Sequence, residues 1–221
     1  MTSANLKLLF PTPLWEADIG DETLNNHLRE TIFSIEKSDD KFNADRYPFG
    51  YTSYASDINL AQDARFQEIT RRVLQEAKKF LVAMQMQTQA KVLKDLVPSL
   101  QVYDLFCNIN RKYSAHGPHR HECVDLSAVY YVDVGEDPAN FIAHSPTEPL
   151  LMHTRSQFFA DKSPMAQEKQ SFRPETGKLL MFPSWMMHEV QQQKTDSERV
   201  SLAFNLGIVT RPKKNAQVAQ I

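Results

Sequence analysis

The chain has 221 residues, 42% hydrophobic and 10% aromatic, which is enough for a folded core and excludes wholesale disorder. Its 25 basic and 27 acidic side chains form no long run of one sign, so there is no strong signal for a nucleic-acid surface. The start of the chain does not have the pattern of a signal peptide, no apolar run is long enough to span a membrane, and two cysteines cannot build a disulfide framework. We therefore expect a cytoplasmic protein with no membrane association.

Two amphipathic helices are predicted in the first half of the chain. Apolar residues recur at steps of three and four from Asp21 to Lys37 and again from Asp63 to Met86, which is the spacing of a helix that buries one face. Asp21 and Asp63 are the predicted N-caps. Both helices must cover an apolar surface that another part of the chain supplies.

The second half of the chain has the pattern of β-strands. Segments rich in Val, Tyr, Phe and Leu and bounded by turn residues are predicted as strands at 100–109, 126–134, 178–182 and 199–209. The long polar segment 145–176 is predicted as a loop that could act as a lid. Helices followed by strands predict an α+β fold, a two-sheet sandwich or barrel buttressed on one side.

Three of the seven histidines fall within six residues, at positions 116, 119 and 121. On a strand, His119 and His121 would point to the same face, whereas on a helix they would diverge by about 200°. Such a pair is a two-point clamp for Fe, Zn, Cu or Ni. The alternative interpretation is a loop of surface histidines.

A third imidazole could join this pair from a distant part of the sequence. Gly177 opens a short apolar strand, Pro183 ends it in a turn, and His188 follows five residues later. This spacing would return His188 toward the first two histidines. A packed core histidine beside Trp185 is the alternative.

A candidate carboxylate-binding pair begins the last predicted strand. Alternation places Arg199 and Ser201 on one face, opposite Val200 and Leu202, which have the character of core residues. The planar fork of an arginine engages both oxygens of a carboxylate. An isolated surface ion pair of Arg199 is the competing interpretation.

Four segments together resemble the Fe(II)/2-oxoglutarate-dependent oxygenases, in particular a bacterial and phage branch of that superfamily. The matching segments, which extend over almost the whole chain from near residue 9 to near residue 208, are Leu9–Trp15, His119–His121 with Leu126–Tyr131, Gly177–His188 and Glu198–Asn205. The resemblance implies a double-stranded β-helix, or jelly roll, braced by N-terminal helices. It implies one oxygenase-like domain over residues 1–221, with a mainly helical buttress at 1–98, a jelly-roll core at 99–210 and a tail at 211–221.

The resemblance also implies a site and a reaction. The metal ligands would be His119, His121 and His188, the metal Fe(II), and the cosubstrates 2-oxoglutarate and dioxygen. Arg199 would receive the remote carboxylate of 2-oxoglutarate, with Ser201 and Tyr131 beside it. The reaction would be a hydroxylase-type oxidation coupled to decarboxylation of 2-oxoglutarate to succinate; no sequence feature specifies the primary substrate or an oligomeric state.

The family pattern has a carboxylate where this chain has His121. Asp125 is the reserve ligand, because it has the right parity on a strand, although it lies about 13 Å beyond His121 in an extended chain. Two other classes of function stay open at this point. One is a cupin-like metalloenzyme that does not use 2-oxoglutarate, in which Cys123 could join the histidines on zinc. The other is a jelly-roll binding module without catalytic activity.

Overall fold

Two antiparallel β-sheets make up the core of the computed structural model, which describes residues 11–84, 96–147 and 167–212. The two helices are α1 (Glu22–Ser38) and α2 (Gln67–Ala83). The ten strands in chain order are β1 (Trp15–Asp18), β2 (Gly50–Thr52), β3 (Leu96–Asn110), β4 (His116–His119), β5 (Leu126–Asp133), β6 (Phe141–His144), β7 (Lys169–Phe172), β8 (Lys178–Pro183), β9 (His188–Val190) and β10 (Arg199–Pro212).

The strand order is that of a jelly roll. The larger sheet has the order β1-β8-β5-β10-β3-β2 and the smaller sheet the order β4-β9-β6-β7, and all the strand pairs are antiparallel. Because neighbours in each sheet are mostly distant in sequence, the chain passes repeatedly between the two sheets. The predicted α+β fold with a double-stranded β-helix is confirmed.

The helices cover the outer face of the larger sheet. Alternate residues of the central strand β10, such as Leu202 and Phe204, join one buried cluster with Leu28 and Ile32 of α1 and Val73 of α2. This packing buries the apolar stripes that the sequence predicted for both helices. The helices therefore brace the sheet from outside and leave its inner face free.

One of the two predicted helix starts agrees with the structure and the other does not. The side chain of Asp21 caps α1 by accepting a hydrogen bond from the backbone N–H of Leu24 at 2.9 Å. Asp63 was expected to cap the second helix, but it caps a short 3₁₀ turn at Ala64–Phe66, and α2 begins after that turn. The extra turn shifts the helix start by three residues.

The inner face of the larger sheet is apolar at one side and polar at the other. Phe141 of the smaller sheet packs there with Tyr131, Leu180 and Phe182 in a second buried cluster. The buried polar residues of β3 and β10 lie on the same face, and they are Asn108, Asn110, Arg199 and Ser201. This polar half lies within the jelly roll, where water is largely excluded.

Several predicted boundaries need correction. The segment 1–98, expected to be mainly helical, also contains β1 and β2, which form the two edges of the larger sheet. Strand β7 lies inside the predicted loop 145–176 and pairs with β6, while residues 148–166 of the candidate lid lie outside the described residues. Strand β10 extends into the predicted tail as far as Pro212. Neither helix in the described ranges has the length and apolarity that a bilayer crossing requires.

Candidate active site

Three histidines converge at one end of the space between the sheets. The ring nitrogens that His119, His121 and His188 offer to a metal all lie within 4.8 Å of one another. The ring centroids of His119 and His188 are 4.3 Å apart, and that of His121 is 5.2 Å from each. The structure thus brings together all three residues that the sequence suggested as ligands.

Strand pairing explains this convergence only in part. His119 is the last residue of β4 and lies directly opposite His188, the first residue of β9. The prediction that His121 shares the strand of His119 is wrong, because β4 ends at His119 and His121 lies in the following turn. The backbone N–H of His121 donates to the carbonyl of Ser184 at 3.0 Å, which ties this turn to the segment before His188.

Backbone carbonyls set the tautomers of two of the rings. The Nδ1 atom of His119 is 2.8 Å from the carbonyl oxygen of Gly117, and that of His188 is 2.9 Å from the carbonyl oxygen of Met186. A carbonyl oxygen only accepts, so Nδ1 carries the proton on both rings. The Nε2 lone pairs of both rings are then free to bind a metal.

Burial keeps these imidazoles neutral. It lowers the pKa of His188 to about 3 and that of His121 to about 4, and the charge of His119 acts in the same direction. Phe182 and Phe141 pack around the His188 ring, with centroids 4.7 and 5.4 Å away. A neutral imidazole is the form that binds a metal, so the cluster is ready to bind at neutral pH without losing protons from these two rings.

Asp125 and Cys123 do not join the histidines. The carboxylate of Asp125 accepts a hydrogen bond from the backbone N–H of Ile208 at 2.6 Å. Its own N–H and carbonyl bond to Leu206 and Ser184, so it links three chain segments. Cys123 is exposed, and within the described ranges neither it nor a carboxylate belongs to the histidine group. The zinc site with Cys123 that the cupin-like alternative offered is therefore not assembled.

Arg199 is buried at the start of β10, on the inner face of the larger sheet. It is 1% exposed, and in the described part of the chain it has no ion pair with a carboxylate. Its Nη1 atom donates to Oδ1 of Asn110 at 2.9 Å and lies 3.4 Å from Oγ of Ser201. Its Nε and Nη2 atoms are buried and have no hydrogen-bond partner there.

Tyr131 lies next to this guanidinium. The ring centroid of Tyr131 is 4.9 Å from the Cζ atom of Arg199, and the side chain is fully buried. Its hydroxyl oxygen is likewise buried without a hydrogen-bond partner among the described residues. Burial raises the pKa of Tyr131, so the phenol keeps its proton and can donate it. The structure thus brings Arg199, Ser201 and Tyr131 together, as the sequence analysis expected.

Sequence analysis assigned no role to four polar residues of the site. Asn110, Tyr47 and His116 connect Arg199 to the histidine cluster by hydrogen bonds and ring contacts. The charge of Asp104 acts on His121 and raises its pKa, against the effect of burial. The sequence pattern could have indicated Asn110 and Asp104, since they alternate with the core residues of β3. No local pattern could have indicated Tyr47, because its contact to Asn110 joins residues 63 positions apart.

Comparison with known proteins identifies the core of the chain. Residues 104–205 match the family model described as "Putative 2OG-Fe(II) oxygenase". This segment contains the six residues that sequence analysis proposed for the metal and the cosubstrate. No curated protein sequence matches the chain.

Solved structures share the fold at low sequence identity. The epimerase SnoN from nogalamycin biosynthesis, solved with Fe³⁺, alpha ketoglutarate and nogalamycin RO, is 11% identical, with a TM-score of 0.56 over 91% of this chain and 82% of its own. HygX from Streptomyces hygroscopicus, solved with nickel and 2-oxoglutarate, is 14% identical, with a TM-score of 0.50 over 89% and 82%. A prolyl-4-hydroxylase from Pseudomonas putida is 16% identical, with a TM-score of 0.50 over 89% and 93%.

These structural likenesses independently support the jelly-roll fold, and the family match covers the segment that contains the histidines and Arg199. Residues 104–205, a little under half of the chain, are therefore similar to the family described as putative 2OG-Fe(II) oxygenases.

Proposed function

We propose that the chain is an Fe(II)- and 2-oxoglutarate-dependent dioxygenase with a site made of two parts. The metal-binding part comprises His119, His121 and His188. The part that binds the remote carboxylate of 2-oxoglutarate comprises Arg199, Ser201 and Tyr131. The observation that carries this proposal is the buried Arg199, which lacks a carboxylate partner in the described structure.

A buried charge without a counter-ion is costly. Removing one partner from a buried ion pair destabilises a protein by about 3–5 kcal/mol, and Arg199 has only neutral neighbours at hydrogen-bond distance. Its Nε and Nη2 atoms, together with the Tyr131 hydroxyl, present unpaired donors. A ligand carboxylate supplies both the missing negative charge and the missing acceptors.

The histidine cluster fits a divalent metal. His119 and His188 direct their free Nε2 lone pairs away from the carbonyls that hold Nδ1, and imidazole is a suitable ligand for Fe(II). When bound, Fe(II) would supply the activation of dioxygen that is coupled to decarboxylation of 2-oxoglutarate to succinate. The chain's own part is to hold the keto acid at both ends and to exclude water from the space between the sheets.

A site of three neutral imidazoles differs in charge from one with two histidines and a carboxylate. With His121 in the third position, a divalent metal keeps its full charge of two. The site therefore favours a dianionic cosubstrate such as 2-oxoglutarate, because the metal and Arg199 are both positive. Asp104 provides a negative charge close enough to act on His121.

We further propose that residues 1–221 act as one oxygenase domain in the cytoplasm. The shared core between the helices and the outer face of the larger sheet supports a single unit. The location is supported by two cysteines, both of them free, as is usual for a reducing compartment.

The proposal is tested by mixing the metal-free protein with Fe(II) and 2-oxoglutarate without oxygen. A visible charge-transfer band of the chelated keto acid is expected in the wild type and in the control Arg173→Gln, which alters a mostly exposed arginine. In Arg199→Gln the keto acid should bind at least about 100-fold more weakly, while Fe(II) binding persists. Iron binding without the band in the wild type would reject 2-oxoglutarate as cosubstrate.

A further inference from the structure

A continuous chain of hydrogen bonds joins Arg199 to His116, which lies beside the histidine cluster. Nη1 of Arg199 donates to Oδ1 of Asn110 at 2.9 Å, and Nδ2 of Asn110 donates to the hydroxyl of Tyr47 at 2.6 Å. The same hydroxyl lies 3.2 Å from Nδ1 of His116. The His116 ring in turn has its centroid 6.2 Å from that of His119. These hydrogen bonds therefore run alongside the space between the two parts of the proposed site.

The direction of these hydrogen bonds follows from the chemistry of Arg199. A guanidinium has donors only, so the atom of Asn110 that faces it must be the acceptor Oδ1. The amide nitrogen of Asn110 then faces Tyr47 and donates to its oxygen. The phenol is left with its own proton to donate, and Nδ1 of His116 is the ring acceptor within reach.

We propose that Asn110, Tyr47 and His116 form a hydrogen-bond chain with a fixed direction, which holds His116 as a neutral imidazole with its proton on Nε2. His119 and His188 have the opposite tautomer, because backbone carbonyls hold their Nδ1 protons. The structure thus contains two classes of histidine in one cluster. His116 has no free lone pair for a metal, whereas His119 and His188 each keep one on Nε2.

Because its proton is on Nε2, His116 can donate a hydrogen bond from that nitrogen, which His119 and His188 cannot do. If the proposed function holds, 2-oxoglutarate spans from the metal to Arg199, and each of its oxygens in the dianion is an acceptor. His116 has contacts toward both ends, because hydrogen bonds through Tyr47 and Asn110 link it to Arg199 and its ring centroid is 6.2 Å from that of His119. We infer that the Nε2–H of His116 donates to the bound cosubstrate and that His116 is a positioning residue and not a fourth ligand.

Burial supports the neutral state of this ring. Burial, together with the charges of Arg199 and His119, lowers the pKa of His116 to about 3. The Tyr47 ring also stacks on His116, with centroids 4.5 Å apart and an angle of 28° between the planes. Two contacts of different kinds therefore fix the His116 ring in position.

The local backbone holds Tyr47 tightly against its neighbours. Phe49 has a φ of 64°, a left-handed conformation that a bulky residue rarely adopts. At the next residue, Gly50, a Cβ atom would lie 2.7 Å from Cε1 of Tyr47 and 2.7 Å from the carbonyl oxygen of Ile109. The chain can thus pass close to the Tyr47 ring only because residue 50 is a glycine.

The direct test is the tautomer of each histidine in the metal-free protein, read from long-range proton–nitrogen NMR correlations on ¹⁵N-histidine-labelled samples. The signals are assigned with single histidine substitutions. We expect His116 to be protonated on Nε2 and His119 and His188 on Nδ1. In Tyr47→Phe the single tautomer of His116 should be lost, while the tautomers of His119 and His188 stay as they are.

Tyr51→Phe is the matched control. Tyr51 is also buried and also loses one hydrogen bond, to Asp39 at 2.8 Å, but it lies in the core beneath the helices. It should leave the His116 tautomer unchanged. The hydrogen-bond chain is rejected if His116 carries its proton on Nδ1 in the wild type, or if Tyr47→Phe has no effect on its tautomer.

Binding measurements test the role toward the cosubstrate, which rests on the proposed function. Tyr47→Phe should weaken 2-oxoglutarate binding to the Fe(II) protein about 10-fold and change Fe(II) affinity less than about twofold. Weakened Fe(II) binding with unchanged 2-oxoglutarate affinity would overturn that role. If the wild type binds no 2-oxoglutarate, the proposed function fails, while the NMR result still decides whether the hydrogen-bond chain exists.

Discussion

Arg199 differs from the other arginines of the described chain in its surroundings. Arg72 and Arg111, for example, each pair with two carboxylates, and both are partly exposed. Arg199 is buried among Asn110, Ser201 and Tyr131, which are all neutral. This environment supports the proposed role of Arg199 in binding an anionic ligand, since a purely structural role would be served at lower cost by an apolar residue.

The assignment of His121 as the third ligand is tested by substitution. His121→Ala should lower Fe(II) affinity at least about 100-fold, because it removes one of three ring nitrogens. The control is His27→Ala, which changes an exposed histidine of α1. Affinity is measured by competition with a chelator. The opposite pattern, with His121→Ala neutral and Asp125→Asn deleterious, would give the third position to Asp125.

The buried histidines also predict how stability depends on pH. His188 has a folded-state pKa of about 3 and an unfolded-state value near 6.5, so the unfolded chain binds more protons between these values. The metal-free protein should therefore be most stable above about pH 6.5 and lose stability as the pH falls toward 3.

Urea unfolding with a chelator present measures this loss. Between pH 7.5 and 5.5 His188 alone should contribute about 1 kcal/mol to the decrease in the free energy of unfolding. His188→Gln should reduce the decrease by that amount, and His27→Ala should leave it unchanged. An unchanged pH dependence in His188→Gln would mean that the ring is not held neutral by burial.

At the scale of single residues, the sequence indicates the proposed metal ligands and the proposed carboxylate-binding arginine, but not the hydrogen bonds that lie between them. His119, His188 and Arg199 have a recognisable order and spacing. Tyr47 does not, because its role depends on Asn110 and His116, which lie 63 and 69 positions away in the sequence. Such a network arises only in the folded chain, where the segment before β2, the end of β3 and the start of β4 come together.

Strand β10 shows how one element serves both the core and the site. Its even-numbered residues from Val200 to Leu206 belong to the cluster beneath the helices, and Arg199 and Ser201 face inward. It lies between β3 and β5, which supply Asn110 and Tyr131. The simple alternation of a strand therefore joins the carboxylate-binding residues to the most buried part of the fold.

Neighbouring substitutions on β10 should separate these two roles. Leu202→Ala should lower the free energy of unfolding by about 2–5 kcal/mol and leave 2-oxoglutarate affinity within about twofold of the wild type. Ser201→Ala should weaken 2-oxoglutarate binding several-fold, in the range of about 3 to 10, with a much smaller loss of stability. Chemical denaturation and ligand titration measure the two effects, and equal loss of affinity in both variants would contradict the division into two faces.

Elements with strong patterns could be predicted from the sequence, and short polar ones could not. The two helices and the four apolar strands were found with boundaries within a few residues. Strand β7 has the sequence Lys-Gln-Ser-Phe, and its pairing with β6 gives it an extended form that its composition does not indicate. The turn at His121 was likewise unexpected, since it depends on the hydrogen bond to Ser184.

At the scale of the whole molecule, two packed layers leave one protected space. The helices cover the outside of the larger sheet, and Phe141 and Phe182 fill one side of the space between the sheets. His188 packs against both of these rings, and Arg199 lies beside Tyr131 on the same inner face. This arrangement buries His188 and the guanidinium of Arg199, where the interactions of either group with a bound ligand are stronger than in bulk water.

The most direct test of this account is an anaerobic crystal structure of the chain with Fe(II) and 2-oxoglutarate, with iron located by anomalous scattering. We predict iron bound by the Nε2 atoms of His119 and His188 and by a ring nitrogen of His121. The remote carboxylate of 2-oxoglutarate should contact Nε or Nη2 of Arg199 and the hydroxyl of Tyr131. Iron bound at Asp125, or 2-oxoglutarate bound away from Arg199, would contradict the proposed site.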